Sequence, residues 1–210
     1  MDYVLFGIQG SGKGTQGKFL AEKLPAAYFE TGGELRRLAQ EKSPLGQKVK
    51  NIIETGHLVP TETVMEIVEN FTNRNLKKAI IFDGIPRNAD QNRLFVKLLE
   101  RLRRPHTGIY FELSREEAQR RLLTRRICAG CKSVYPALYP KEKSCETCGG
   151  HLETRRDDNP ESIRTRLDIF YQETVPIIEE WKNAGKMISI DASPTIEEVT
   201  KILFERTEKL

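Results

Sequence analysis

Short apolar runs alternate along the chain with longer segments in which apolar and polar residues are mixed. The runs at 2–6, 78–84, 107–113 and 186–192 are apolar at most of their positions. Runs of this length without a polar face are typical of strands that are buried on both sides of a parallel sheet. We therefore predict four buried strands at these places.

The mixed segments between these runs carry helical patterns. In the first of them, 12–24, we expect Phe19, Leu20 and Leu24 to face inward. Thr61 is expected to cap the N-terminus of a later helix. Strands that alternate with helices predict an α/β fold, a parallel sheet covered by helices on both faces. The predicted helices cover 12–24, 34–40, 47–55, a segment from 61 onward, 89–102, 115–124, a segment from 159 past 171, a segment that ends at 183, and 195–209.

The composition limits the class of protein. The 210 residues suit one domain with small insertions, and 38% hydrophobic residues are enough for a buried core. A net charge of +4 is too small to indicate nucleic acid or an anionic membrane as a partner. There is no apolar stretch of about 18 residues and no apolar leader, so we expect a cytoplasmic protein without a membrane span.

A glycine-rich segment, GIQGSGKGTQ at 7–16, follows the first predicted strand and opens the first predicted helix. It matches the phosphate-binding pattern G-x4-G-K-[ST] except that Gly14 stands where a hydroxyl residue is usual. The glycines let backbone N–H groups wrap around phosphate oxygens, and Lys13 adds a mobile charge at the helix N-terminus. A glycine-rich turn that only links strand to helix is the alternative, but the lysine at this spacing favours phosphate binding.

Asp83 ends the second predicted strand, and its position suits a carboxylate that holds Mg²⁺ through water. Acids at strand ends also cap helices and turns, so position alone leaves both roles open. The phosphate-binding pattern nearby favours the magnesium role.

The four cysteines fall in one window with the spacing Cys128-x2-Cys131-x13-Cys145-x2-Cys148. Two Cys-x2-Cys pairs in a short, hairpin-like stretch are typical of a structural Zn²⁺ held by four thiolates. The 13-residue gap is slightly shorter than usual, which a tight hairpin accommodates. Disulfide or redox chemistry is the alternative, and iron can occupy the same ligands.

Six stretches together resemble one family. They are GSGKGTQ, TGGELRR, GHLVP, DGIPRNADQ, RRLLTRRIC with the four cysteines, and TRRDDNPESIRTRL. In order and spacing they resemble the adenylate kinase family, in the form that has a metal-binding lid. The resemblance runs from residue 3 to about residue 191. The phosphate loop alone is shared by many NTPases, whereas GKGTQ together with DG-x-PR is far more specific to this family.

The resemblance implies a sheet of the P-loop NTPase type and two mobile inserts. The core would comprise 1–30, 60–120 and 159–210, a helical insert at 31–59 would bind AMP, and a small zinc-ribbon-like β lid at 121–158 would close over ATP. The implied reaction is reversible transfer of a phosphoryl group from ATP to AMP, which gives two ADP and requires Mg²⁺. We expect a monomer that binds neither nucleic acid nor membrane.

The resemblance also implies roles for individual residues. Transfer between two phosphorylated substrates gathers negative charge, which explains a set of arginines. Asp157 and Asp158 resemble acids at the root of the lid that contact ATP or organise these arginines, or they are ordinary acids before a helix. The implied catalytic residues are Lys13, Asp83, Arg87, Arg125, Arg155 and Arg166. The implied ATP-binding residues are Gly10, Ser11, Gly12, Lys13, Gly14, Thr15, Arg121 and Arg125. The implied AMP-binding residues are Thr31, Arg36, Val59, Gly84, Arg87, Gln91, Arg155 and Arg166.

Three positions depart from the family pattern. Gln9 replaces a proline in the loop, and Ile85 replaces an aromatic residue. Gly33 replaces an aspartate that the family places near the water shell of the magnesium ion. From the sequence we expect a working enzyme that is slower or binds magnesium less tightly, in which Gly33→Asp raises activity or magnesium affinity.

Three other classes of protein stay open. A kinase of another nucleoside monophosphate would share most motifs, because only Thr31 and Gln91 favour AMP. A zinc ribbon on a phosphate-loop scaffold could contact nucleic acid through basic residues such as Arg125, although the segment lacks interleaved basic and aromatic residues. Gly33 and Gln9 suggest a regulatory or inactive relative, but the lysine, the strand-end acid and the expected arginines are all present.

Overall fold

The computed structural model describes residues 1–135, 144–155 and 157–209. Within these ranges no helix is both long enough and apolar enough to cross a membrane. The strands are β1 (Asp2–Gly7), β2 (Ala27–Glu30), β3 (Ile80–Asp83), β4 (His106–Glu112), β5 (Arg126–Cys128), β6 (Val134–Tyr135), β7 (Leu152–Glu153) and β8 (Met187–Asp191). The α-helices are α1 (Lys13–Lys23), α2 (Thr31–Leu38), α3 (Pro44–Glu54), α4 (Thr61–Arg74), α5 (Ala89–Arg101), α6 (Arg115–Thr124), α7 (Pro160–Ile169), α8 (Val175–Asn183) and α9 (Ile196–Thr207), and a π-helical segment, Phe170–Thr174, joins α7 to α8.

The centre is a five-stranded sheet in the order β2-β3-β1-β4-β8. All four of its strand pairs are parallel, so the carboxyl ends of the strands meet at one edge. Two buried clusters lie on opposite faces. Val4 and Phe6 pack with α4, α5, α7 and α8, whereas Tyr3 and Leu5 pack with α1 and α9. This alternation along β1 confirms the predicted α/β fold, with a parallel sheet covered on both faces.

The four predicted strands form, but the pattern did not predict β2. This strand has only four residues and follows a turn at Pro25, so it is too short to show a period. It pairs with β3 at the edge of the sheet, in a register that sets Glu30 beside Asp83. Two side chains of the site described below come from this strand.

The inward position expected for Phe19 is wrong, because this side chain is 38% exposed. Gln16, Gly17, Leu20 and Ala21 form the buried stripe of α1 instead. Neighbouring residues on a helix are separated by about 100° around its axis, so Phe19 is turned away from the sheet when Leu20 faces it.

Several helix boundaries also differ from the prediction. Helix α3 begins at Pro44, three residues before the predicted start, because Ser43 caps it and a proline suits the first helical position. Thr61 is the first residue of α4 rather than its cap, and Pro60 precedes it without a capping hydrogen bond. Helix α2 starts at Thr31, directly after β2, three residues before the predicted start. This early start brings Thr31 to the carboxyl edge of the sheet.

A buried ion pair closes the opposite, amino edge of the sheet. Arg104 Nη2 donates to Asp2 Oδ1 at 2.7 Å, and Ile80 N donates to the same oxygen at 2.9 Å. Arg104 Nη2 also donates to the carbonyl of Lys78 at 2.6 Å. The charge pair therefore joins β1, β3 and the turn before β4 with its hydrogen bonds satisfied.

A second, antiparallel sheet has the order β6-β5-β7. It carries its own small cluster, formed by Cys128, Tyr135, Cys145 and Leu152. This agrees with a small β unit in the cysteine window. Part of the predicted lid, 136–143 and 156, lies outside the described residues, and the predicted domain boundaries stay predictions.

Candidate active site

The phosphate loop joins the carboxyl end of β1 to the N-terminus of α1. Gly12 precedes the helix with a φ of 85°, a left-handed conformation that side chains disfavour. Gly10 has a φ of 92°, and a Cβ there would lie 2.9 Å from the carbonyl oxygen of Ala118. Glycine is therefore required at both positions, and the loop lies close against α6.

Lys13 folds back over this loop. Its Nζ donates to the carbonyl of Gly7 at 2.6 Å and to that of Ile8 at 3.0 Å. Burial lowers the pKa of Lys13 to about 8. The charge of Asp83 opposes this shift, and the charges of Arg87 and Arg125 add to it. The lysine is thus a desolvated cation that a phosphate group would stabilise.

Three buried oxygen atoms near the loop and α2 lack a hydrogen-bond partner among the described residues. They are Gln9 Oε1, Ser11 Oγ and Thr31 Oγ1. Ser11 is 2% exposed and Thr31 is 4% exposed. A buried polar atom without a partner is costly, and such atoms concentrate where a ligand binds. Ser11 and Thr31 belong to the expected ATP and AMP sites respectively.

Asp83 lies between the loop and β2. Its Oδ2 accepts a hydrogen bond from the Tyr28 hydroxyl at 2.8 Å, and Oδ1 accepts none from the residues the structure covers. Burial raises the pKa of Asp83, an effect that the nearby Lys13 charge and the Tyr28 hydrogen bond oppose. Burial and the charges of Asp83 and Glu30 raise the pKa of Tyr28 far above its ordinary value, so its hydroxyl stays protonated and donates.

Arg87 lies against the turn after β3. Its Nε donates to the carbonyl of Gly84 at 2.9 Å, and its backbone N–H donates to Gln91 Oε1 at 2.9 Å. Gly84 has a φ of 84°, and a Cβ there would meet Arg87 Nη2 at 2.8 Å and Thr31 Cβ at 3.5 Å. Four of the expected AMP-binding residues, Gly84 among them, are therefore brought together at this turn.

Asp158 joins two of the expected arginines. Arg125 donates to both of its oxygens, at 2.8 Å from Nε and 2.7 Å from Nη2. Arg166 Nη2 donates to Oδ1 at 2.8 Å, and the Asp158 side chain is fully buried. Burial would raise the pKa of Asp158, but the hydrogen bonds and charges of both arginines outweigh it and hold the pKa below 3.8. Of the roles left open for this acid, the contacts favour organising the arginines.

Arg36 and Arg155 complete the cationic set. Arg36 Nη2 donates to Glu30 Oε1 at 2.7 Å. The Arg155 guanidinium makes no hydrogen bond to a residue within the described ranges, although the Arg155 carbonyl accepts one from Asp158 N at 3.0 Å. Burial lowers the pKa of Arg155 to about 10, and the charges of Arg125 and Arg36 add to this shift. Burial also lowers the pKa of Arg87, with Arg166 and Arg36 adding to the shift. The cations therefore lie near enough to repel one another.

The other expected residues lie around this centre. Arg121 donates to Glu117 Oε1 at 2.7 Å and to the carbonyls of Ala192 and Ser193 at 3.0 and 3.1 Å. It is thus held beside the loop that follows β8. Val59 is buried at the end of the segment before α4.

The four cysteines form one cluster, and their Sγ atoms all lie within 4.8 Å of one another. Zn–S bonds of about 2.3 Å in a tetrahedron put the sulfur atoms about 3.8 Å apart, so the donor set fits Zn²⁺. The Tyr135 hydroxyl donates to Cys145 Sγ at 3.2 Å. For Mg²⁺, which prefers oxygen ligands, the fitting group is the Asp83 carboxylate with its free Oδ1.

Sequence reasoning missed Tyr28 and Glu30, because β2 itself was missed. The register of β2 with β3 sets both side chains beside Asp83 and Arg36. The only available signal was the segment AYFE between a proline turn and TGG, in which two polar positions alternate with apolar ones.

The surroundings of Gly33 change the expectation drawn from the sequence. A Cβ at this position would lie 3.4 Å from both Cδ and Oε2 of Glu30. A carboxylate, already paired with Arg36, thus occupies the space that an aspartate at 33 would enter.

We expect Gly33→Asp to give no gain in magnesium affinity while Glu30 is present, because the two carboxylates would repel each other and compete for Arg36. With Glu30→Gln as background, the same replacement should raise the affinity about threefold, the effect of one modest charge contact. Titration of the nucleotide-bound protein with Mg²⁺ measures the magnesium affinity in both backgrounds. An equal gain in the two backgrounds would contradict this account.

Asp158→Asn removes the charge that joins Arg125 and Arg166 and keeps the size of the side chain. Breaking a buried pair of this kind should lower the free energy of unfolding by about 3–5 kcal/mol. The pKa of Asp158 in the folded protein lies below 3.8, its ordinary value. The extra stability of the wild type over the variant is therefore fully present above pH 3.8 and is lost as the pH falls through the folded pKa. Urea denaturation at several pH values measures it.

Asp168→Asn is the matched control. Asp168 Oδ1 accepts from Arg115 Nη2 at 2.6 Å, but the side chains are 44% and 37% exposed, so its loss should cost less than about 1 kcal/mol. Equal losses in the two variants would show that Asp158 does not hold the arginines together.

Comparison with known proteins identifies the family. A sequence model described as Adenylate kinase matches residues 5–186. The adenylate kinase of Fervidobacterium nodosum is 35% identical over 209 residues, which cover 97% of this chain and 96% of the relative. That of Methanocella arvoryzae is 35% identical over 205 residues and covers 95% of both chains, and that of Thermosipho melanesiensis is 36% identical over 206 residues and covers 96% of both. The range matched by the sequence model spans the loop, the turn after β3 and the cysteine window. The chain belongs to the adenylate kinase family.

Proposed function

We propose that this protein is an enzyme that transfers a phosphoryl group reversibly between ATP and AMP, which yields two ADP. A monomer in the cytoplasm, with Mg²⁺ supplied with the nucleotide and a structural Zn²⁺ in the lid, is part of the proposal. The names of its relatives and the geometry around the loop support it.

One observation carries the proposal: several desolvated cations crowd the carboxyl edge of the sheet. Burial and mutual repulsion lower the pKa of Lys13, Arg87 and Arg155. Such a cluster is unfavourable by itself and becomes favourable when a polyanion lies among its members. Two nucleotides meeting end to end through their phosphates supply that charge, and the charge is greatest in the transition state.

The ATP site in this proposal is built on the loop. Backbone N–H groups at the N-terminus of α1 and the Ser11 hydroxyl would face the phosphates, and Lys13 would move from the loop carbonyls to a phosphate oxygen. Arg121, held at the loop after β8, would lie against the base. Mg²⁺ would neutralise phosphate charge, with Asp83 as its anchor through water.

The AMP site would lie across the turn after β3. Arg87 and Arg36 would bind the monophosphate, because a guanidinium can donate two parallel hydrogen bonds to phosphate. Thr31 Oγ1, without a partner in the described part of the chain, and the Gln91 amide would bind the base. Arg125, Arg155 and Arg166 would then surround the transferring group, with Arg125 and Arg166 positioned by Asp158.

The test is ADP formation from ATP with AMP, GMP, CMP or UMP in a coupled assay. We expect turnover with AMP to exceed that with each other monophosphate. Preference for another monophosphate would overturn the substrate assignment and leave the kinase class. Binding of an oligonucleotide at physiological salt without any turnover would overturn the enzyme assignment.

Chelation of zinc should abolish turnover while nucleotide binding by the core persists, since in this proposal the metal stabilises only the lid.

The lowered pKa of Lys13 predicts proton uptake when ATP binds. In the free protein this pKa is about 8 instead of 10.5, and phosphate should raise it again. Between these values binding therefore takes up a proton, and the affinity for ATP should fall as the pH rises through about 8. Calorimetry at pH 9 in two buffers of different ionisation enthalpy measures the uptake. Lys13→Met should abolish it and Lys18→Met, on the exposed face of α1, should not; equal uptake in both variants would refute the assignment.

A further inference from the structure

Gly14 deprives the loop of the hydroxyl that holds magnesium in most phosphate-loop enzymes. The space beside Gly14 is nevertheless occupied by another hydroxyl. A Cβ at Gly14 would lie 3.6 Å from the Tyr28 Oη and 3.5 Å from Asp83 Oδ2. The Tyr28 hydroxyl thus lies in van der Waals contact with the Cβ position that a serine or threonine at position 14 would occupy.

The packing around Tyr28 fixes this placement. A Cβ at Gly17 would lie 2.7 Å from Tyr28 Cε2, so the bare glycine on α1 leaves room for the ring. From there the hydroxyl donates to Asp83 Oδ2 at 2.8 Å and lies 3.4 Å from the Gly14 carbonyl oxygen. The hydroxyl is therefore anchored between the loop and the strand-end acid.

The hydrogen bond from Tyr28 fixes the orientation of the Asp83 carboxylate. With Oδ2 engaged by Tyr28, the other oxygen, Oδ1, is left without a hydrogen-bond partner in the ranges that the structure describes. A carboxylate held in this way presents one oxygen, in a fixed rotamer, to a cation or to its bound water. Hydrogen bonds from outer groups commonly orient metal-binding carboxylates in this manner.

We propose that Tyr28 is a positioning residue for the divalent cation of the bound nucleotide, and that it replaces the hydroxyl missing at Gly14 by orienting Asp83. The proposal rests on the nucleotide site proposed above, but it concerns cation binding and not turnover. It assigns to the edge strand β2 an indirect contribution to cation binding, whereas in other phosphate-loop proteins the loop hydroxyl binds the cation directly.

The experiment measures Mn²⁺ binding to the full-length protein with ATP, by electron paramagnetic resonance of the free ion and without AMP. Tyr28→Phe keeps the ring in its packing and removes only the hydroxyl. We expect the apparent Kd for Mn²⁺ to rise about tenfold, the effect of one lost hydrogen bond to a charged group, with ATP affinity in the absence of divalent ions unchanged. Tyr110→Phe on β4, whose hydroxyl bonds to none of the described residues, should change neither quantity.

A rescue variant separates this role from packing. In Tyr28→Phe/Gly14→Ser the new side chain enters space vacated by the phenol oxygen, where its Cβ makes only ordinary contacts. We expect it to recover most of the lost Mn²⁺ affinity. An unchanged Kd for Mn²⁺ in Tyr28→Phe overturns the proposal, and so does an equal loss of ATP affinity without divalent ions. Because no monophosphate is present, a failure of the proposed transfer reaction would leave this result intact.

Discussion

The structure depends on holding several cationic side chains together at one edge of a sheet. Each of Lys13, Arg87 and Arg155 loses hydration by burial and is repelled by its cationic neighbours. Carboxylates make the arrangement possible, since a buried cation without a counter-charge is strongly unfavourable. Asp158 holds two arginines through a fully buried side chain, and Asp83 faces the lysine. The remaining imbalance favours a bound polyanion, so the same groups that strain the free protein prepare it for phosphate.

The fold meets this demand through a property of parallel sheets. All five strands end at the same edge, so the loop after β1, the turn after β3 and the start of α2 converge without long excursions of the chain. At the amino edge the charges are paired within the protein, because Asp2 and Arg104 form an ion pair whose hydrogen bonds are satisfied. Charge is neutralised within the protein at one edge and is left for a ligand at the other. The ion pair at the amino edge thus serves stability alone, whereas the carboxylates at the carboxyl edge also hold cations in place for a ligand.

Much of this site could be predicted from the sequence, because motifs with fixed spacing carry their own geometry. The loop, Lys13, Asp83 and the cysteine pairs are local patterns, and the structure places each in the expected strand, helix or cluster. The arginines needed the family resemblance, since an isolated arginine has no local signature. Tyr28 and Glu30 were not predicted as site residues, because their strand is only four residues long and its pairing with β3 is a contact between distant parts of the chain. The surroundings of Gly33 were hidden for the same reason.

The sequence by itself determined the elements that arise from local interactions: the apolar strands, the glycines that adopt left-handed backbone, and the two Cys-x2-Cys pairs. Tertiary structure decided which side of α1 is buried, since Phe19 and Leu20 are equally apolar and only the approach of the sheet distinguishes them. It also decided which charges are compensated. Whether Asp158 caps a helix or binds Arg125 and Arg166, and whether the space at Gly14 stays empty, depends on chain segments that meet only after folding. Electrostatic energy and steric contact depend on distance in space, which distance along the chain does not fix.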